Sequence, residues 1–373
     1  MRLERLEIRH VRLPLVTPFE TSLGRLLTKD AVILRGEAEG LVGWGEVAAW
    51  SDPWYSYETV QTSLYVLTRY LVPLALRAEV ADAATTPDPW PTIRGYPMAK
   101  AALQCVALDL LAQERGQSLA DWLGGQRSEV PVGISLGIEG SIDRLLERIG
   151  TAQEAGYQRV KLKIRPGWDI AVLRAVRERF GDSLQIAGDA NGAYCLEDAD
   201  HLAQVDAFGL SMLEQPLQHD DIDDHAELAR QIATPICLDE SLPTLGTARQ
   251  ALATRACRVV NIKPGRVGGI VVAQQLHNLC AAAGVPVFCG GMLETGIGRA
   301  ANVALASLAN FTIPGDLSAS DRYFHRDLIA PPFVLLDGGL LKVPTGPGLG
   351  VAVDQEALEA VTVRRRKLNG APP

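Results

Sequence analysis

The sequence predicts an α/β fold: a barrel of alternating strands and helices of the (β/α)8 kind, preceded by a smaller α+β domain. Three observations carry this. Between Lys161 and Glu294, short runs rich in Val, Ile and Leu (RVKLKI, LQIAGD, LSMLE, PICLD, RVVNIK) alternate with helix-like segments. Each run ends in a charged residue, and the steps from Lys163 to Asp189, Glu214, Asp239 and Lys263 are all about 25 residues, one strand plus one helix plus two short loops. The first 125 or so residues lack this rhythm and place strands before helices. A functional group at the C-terminal end of each strand is the address of the active site in such a barrel.

In chain order, LERLEIRHVRLPL alternates and then meets Pro14, which predicts a strand. DAVILRGEAEG and LVGWGEV predict two more strands joined by a tight Glu-Gly turn. Helical spacing follows at Ser56–Leu76 and Met98–Glu114. Two loops stand out. Thr17–Arg25 is polar and links two strands, and Glu46–Glu58 gathers Trp50, Trp54, Tyr55 and Tyr57. Those aromatics read equally well as local core or as an apolar lid over a neighbouring domain. VPVGISLG (130–137) is the first expected barrel strand, and the helix after it begins at the N-cap Ser141. VPVFCGG (285–291) is strand seven, a small-residue helix runs from about Ile297 to Ala309, and PGDLSASDRY (314–323) stands where strand eight belongs. VRRRKLNGAPP reads as a solvated, frayed tail.

Composition narrows the function. The 373 residues suit two domains, and 47% hydrophobic with 21% charged residues is the balance of a soluble globular chain. A net charge of −8 gives no reason to expect nucleic acid or an acidic membrane as partner. No apolar stretch is long enough to span a bilayer, and the N-terminus has no signal-peptide pattern. Six cysteines without paired spacing favour reduced thiols and a cytoplasmic location. A small-molecule substrate is expected, and a homo-oligomer.

One strand-end Asp is usually a helix N-cap, but Asp189, Glu214 and Asp239 end three successive strands at one rim. Their charges repel unless a cation lies between them, and oxygen-only donors favour Mg²⁺ or Mn²⁺. Lys163 and Lys263 flank them, and burial is expected to lower the pKa of such lysines so that one removes a proton and the other returns it. Lys161 shares the face of Lys163 through the strand's period of two. A divalent cation between two amines suits abstraction of the proton α to a carboxylate, because that carbon acid is very weak and its dianionic enediolate needs charge stabilisation.

The motifs KLKIRPGWD, DAN, LEQP, CLDES, NIKPGRVGG and GGMLETGIGRA together resemble the enolase superfamily, muconate-lactonizing subgroup, in which a basic side chain works beside Mg²⁺. More closely, with FETSLG, WYSYET and PGDLSASDRY, the chain is similar to the o-succinylbenzoate synthase/N-succinylamino acid racemase family. The resemblance implies a (β/α)7β TIM-like barrel with an N-terminal α+β capping domain: cap 1–125, modified barrel 126–322, and a segment 323–373 returning to the cap. It implies Asp189, Glu214 and Asp239 as ligands of a divalent metal, Mg²⁺ with Mn²⁺ or Co²⁺ as alternatives, and Lys163 and Lys263 as the acid/base pair. Substrate contacts are implied at Ser135, Lys161, Asn191, Gly291 and Met292, and Phe19, Trp54 and Tyr55 are the lid candidates.

The activities implied are racemization of N-acyl (N-succinyl) amino acids and, as the alternative, the dehydration to o-succinylbenzoate in menaquinone synthesis, with both in one protein allowed. Strand seven reads VPVFCGG and has no catalytic His of the mandelate-racemase kind. Asp316-Leu317-Ser318 replaces the Asp-x-Asp with which dipeptide epimerases hold an ammonium group. A dipeptide epimerase, a muconate cycloisomerase and a non-catalytic barrel are therefore the less favoured readings.

Overall fold

The computed structural model describes residues 1–370. Strands β1 (Arg5–Glu20), β2 (Arg25–Ala38) and β3 (Leu41–Val47) form an antiparallel meander. The β2–β3 turn places Glu39 and Gly40 at φ 50° and 81°, the two left-handed residues of a type I′ hairpin. β1 runs past Pro14: it pairs through Pro14↔Thr28, shifts register, and resumes at Phe19↔Leu26. A proline is tolerated beside such an irregularity because no ladder bond is then asked of its nitrogen. The extension, still paired with β2, carries Phe19 to the cavity at the barrel mouth.

A continuous helical stretch, Val60–Val66, Leu67–Leu71 and Val72–Ala75, starts later than expected, with Thr59 as its N-cap in a capping box. The helix Pro97–Glu114 is buried on nearly every side, as its run of apolar residues requires. It presses on β3 so closely that a Cβ on Gly45 would lie 2.0 Å from the Ala102 carbonyl oxygen.

The expected first barrel strand is split. β4 (Glu129–Pro131) pairs with a later strand, and only β5 (Ile134–Leu136) enters the barrel. Gly133 separates them where the backbone meets Arg159, whose carbonyl would be 2.9 Å from an added Cβ. From β5 the parallel sheet continues in sequence order through β6 (Arg159–Lys163), β7 (Gln185–Asp189), β8 (Met212–Glu214), β9 (Ile236–Leu238), β10 (Val259–Ile262) and β11 (Val287–Cys289). Among the described residues no regular eighth strand forms. Instead Gly315 donates to Pro131 O and accepts from Gly133 N, while Asp316 N donates to Cys289 O, so this segment joins the two edges of the sheet. β12 (Leu340–Lys342) is the partner of β4.

The arginine-rich C-terminus is not a frayed tail through residue 369. Thr362–Asn369 is strand β13, paired with β1 at the sheet's edge, where outward charges are what an edge strand tolerates. Residues 371–373 of the predicted tail lie outside the described residues. One core runs continuously from cap to barrel. A second, small one (Ala187, Met212, Cys237, Val259, Phe288) fills the barrel's interior below the site. Among the described residues no helix is long and apolar enough to cross a membrane.

Candidate active site

The period of two along β6 directs Arg159, Lys161 and Lys163 inward and Val160 and Leu162 outward into the main core. Register then stacks the rim, with Lys163 opposite Asp189 and Asp189 opposite Glu214. Asp239 and Lys263 directly follow β9 and β10. All six of Lys161, Lys163, Asp189, Glu214, Asp239 and Lys263 are buried.

The charges are paired across the barrel mouth. Lys163 Nζ donates to Asp189 Oδ2 and Asn191 Oδ1, each at 2.7 Å. Lys263 Nζ donates to Asp239 Oδ2 at 2.6 Å. Lys161 Nζ lies 2.9 Å from Glu214 Oε2, 3.1 Å from Asp189 Oδ2 and 2.5 Å from Asp316 Oδ2. Burial disfavours the Lys161 and Lys263 ammonium groups, but Asp316 and Glu214 around the first and Asp239 beside the second outweigh it, so both pKa values are raised. For Lys263 this reverses the expected fall: its ammonium is buried against a carboxylate rather than in apolar surroundings. Burial, then Asp189, pushes Glu214 up to about 7, whereas Asp189 and Asp239 are held low by their lysines despite burial.

Asp189, Glu214 and Asp239 therefore do not form an open cage among the described residues; lysine ammonium groups stand between them. Their donor chemistry nevertheless fits a hard divalent cation: carboxylate oxygens on three adjacent strands, with Glu240 Oε2 and Asn261 Oδ1 buried nearby and without hydrogen-bond partners.

The residues expected to touch substrate line one cavity. Ser135, Lys161, Lys163, Asn191, Lys263, Gly291 and Met292 surround about 40 Å³ together with Phe19, Trp50, Tyr55, Leu293, Asp316 and Tyr323. Phe19 and Tyr55 reach the rim from the cap. Trp54 does not: its ring covers Gly24 and meets Trp50 edge-on at 6.4 Å, and Trp50 takes the lining position. Gly290 allows Lys263 to lie across the end of β11, since a Cβ there would sit 2.6 Å from Lys263 Cε.

Several functional contacts escaped the sequence reading. Asp316 binds Lys161 and accepts from Arg159 Nη2 at 2.6 Å. Asn261 Nδ2 donates to Glu214 Oε1 at 2.8 Å, and Arg266 pairs with Asp239. Gln215 Oε1 accepts from Asp239 N at 3.1 Å and Ser241 N at 3.2 Å, fixing the loop that presents Asp239. Period two pointed to Arg159 and Asn261, two residues before Lys161 and Lys263; Arg266 and Gln215 had no such signal.

The family model described as "Enolase C-terminal domain-like" matches residues 144–357, and that of the "Mandelate racemase / muconate lactonizing enzyme, N-terminal domain" matches residues 4–124. The chain is 50% identical over 365 residues to an N-succinylamino acid racemase of Amycolatopsis sp, covering 98% of this chain and 99% of the relative. It is 46% identical over 363 residues to an o-succinylbenzoate synthase of Geobacillus kaustophilus, covering 97% and 96% respectively. An enolase-superfamily member of known structure from Listeria innocua superposes with a TM-score of 0.94 at 38% identity, over 100% of both chains. With both of its domains matched and this site at its barrel mouth, the chain belongs to the enolase superfamily, alongside o-succinylbenzoate synthases and N-succinylamino acid racemases.

Proposed function

We propose that this protein removes the proton α to a carboxylate and racemizes N-acylamino acids, with N-succinylamino acids as the substrate class. The observation that supports it most is the pair of lysines lining one cavity: Lys163 from β6 and Lys263 from the end of β10, with three strands and their carboxylates between them. The names of the relatives agree with the reading.

Asp189, Glu214 and Asp239 would hold a divalent cation, Mg²⁺ first among the candidates. When bound, that ion supplies positive charge to the substrate carboxylate as its α-carbon becomes an enediolate. The chain's own groups do the rest. One lysine, as neutral amine, takes the α-proton, and the other, as ammonium, delivers a proton to the opposite face. Ser135 Oγ is buried, lines the cavity and has no hydrogen-bond partner among the described residues, which suits a bond to an acyl group. Phe19, Trp50 and Tyr55 exclude water. A cavity of about 40 Å³ has room for about one water molecule, so substrate entry requires these cap loops to withdraw. Six unpaired cysteines suit a cytoplasmic enzyme.

The second reading is the dehydration to o-succinylbenzoate. It is favoured by the 46% identity to a synthase, close to the 50% identity to a racemase. In a syn elimination one lysine, Lys163 by resemblance, serves as base and then acid.

The α-proton exchange of each enantiomer of an N-succinylamino acid with deuterated solvent tests the assignment. Lys163→Ala and Lys263→Ala should each abolish racemization in both directions. Each should still exchange one enantiomer, and the two variants should spare opposite ones. Wild-type exchange of both enantiomers in a single variant contradicts the two-base reading. Dehydration without exchange of either enantiomer in the wild type leaves only the synthase.

A further inference from the structure

The two bases are held differently. Lys163 is fixed by barrel residues alone, Asp189 and Asn191. Lys263 also meets the cap. The Tyr55 ring centroid lies 4.5 Å from Lys263 Nζ, and the Tyr55 hydroxyl is 3.4 Å from the same atom. That hydroxyl donates to Asp239 Oδ1 at 3.0 Å, while Lys263 holds the other oxygen of the same carboxylate. Among the described residues no aromatic ring lies in comparable contact with the Lys163 ammonium. Tyr55 is brought there by the loop between β3 and the helix beginning at Val60, anchored where Val60 N donates to Trp50 O at 2.9 Å.

We propose that Tyr55 is the positioning residue of Lys263 only, so that closure of the cap completes one of the two bases while the other is complete in the barrel. A lysine has four freely rotating side-chain bonds, and its ammonium is a compact charge that must be aimed at one face of a carbon. An aromatic face on one side and an anion on the other confine it, and desolvation strengthens the attraction to the ring. Lys163 receives equivalent restraint from an anion and an amide. The two faces of the substrate therefore depend unequally on the cap. This rests on the two-base reading above.

The half-reactions separate the two bases. The Lys263 amine takes the α-proton, forming an N–H bond, and the C–H electron pair moves into the substrate carboxylate as the enediolate. The ammonium exchanges hydrogen for deuterium with solvent, and deuterium returns to carbon on the same face. Exchange of one enantiomer thus reads Lys263 and exchange of the other reads Lys163. Lys163→Ala and Lys263→Ala identify which is which, and their failure to split the enantiomers would sink the two-base reading rather than the role of Tyr55.

With N-succinyl-L-valine and N-succinyl-D-valine at saturating Mg²⁺, Tyr55→Leu should slow exchange of the Lys263-dependent enantiomer about tenfold or more, and that of the other less than about threefold. Tyr55→Phe keeps the ring and loses the hydroxyl, and should show the same asymmetry to a smaller degree. It carries the test if the Leu variant fails to fold. Equal losses for both enantiomers, a larger loss on the Lys163 side, or no loss would overturn the proposal; the first of these would make Tyr55 a general lid.

Discussion

Glu214 concentrates the electrostatics of the site. It is buried among Asp189, Lys161 and Asn261, and its pKa is pushed up to about 7 by burial first and Asp189 second. Such an anion is costly to bury alone and suits a cation partner. Glu214→Gln keeps the shape and removes the charge. We expect activity to fall by about 10²-fold or more and Mg²⁺ affinity, measured by titration calorimetry, by about tenfold or more, with the fold retained. Full activity of the wild-type enzyme in excess chelator would contradict the metal reading. At this scale the sequence named the five strand-end charges through their spacing. It misjudged the direction for Lys263 because the carboxylate beside that ammonium comes from a neighbouring strand's end. It noted Asp316 but missed its pairing with Lys161 and Arg159, which are far from it in the chain.

Among the elements, β3 packs directly on the helix Pro97–Glu114. Gly45 permits it, since its Cβ would lie 2.0 Å from a backbone oxygen that cannot swing away. Gly45→Ala should destabilise the protein by about 1–3 kcal/mol, measured by denaturant unfolding. An unchanged midpoint would mean that the helix moves off the sheet freely. Strand and helix periods made most elements legible. They failed where pairing overrides local pattern. β1 runs past Pro14 because β2 continues alongside it, and β13 is ordered because β1 offers it an edge. β5 is short because β4 is claimed by β12.

Cap and barrel are joined through a buried polar junction. Lys29 donates to Met292 O at 3.0 Å and to Ala48 O at 3.2 Å, tying the β11 loop of the cavity to the cap. Glu46, at the end of β3, accepts from Thr295 N and Gly298 N at the start of the helix Gly296–Ala306. Burial pushes Glu46 from 4.5 up to about 7, against the pull of Lys29 and Thr295. Between those values the folded state keeps a proton that the unfolded chain has released. The Glu46 contribution to stability is therefore greatest below pH 4.5, falls as pH rises through the window, and levels off above about 7. The change is at most roughly 3 kcal/mol. Glu46→Gln should remove this part of the pH slope, whatever it does to stability overall, in unfolding midpoints taken across the window. A slope identical to wild type would show that folding does not raise the Glu46 pKa.

The period of about 25 residues in Lys163, Asp189, Glu214, Asp239 and Lys263 is a local property, because one βα unit is one stretch of chain. That is why the sequence by itself determined the barrel, the rim and the residues on it. Which ammonium meets which carboxylate depends on strand register and barrel closure. Tyr55 rather than Trp54 reaches Lys263 because the cap loop is folded against another domain, and the segment carrying Asp316 is held by backbone bonds to Pro131 and Gly133 on one side and to β11 on the other. These are contacts between residues far apart in the chain, and only the tertiary structure decides them.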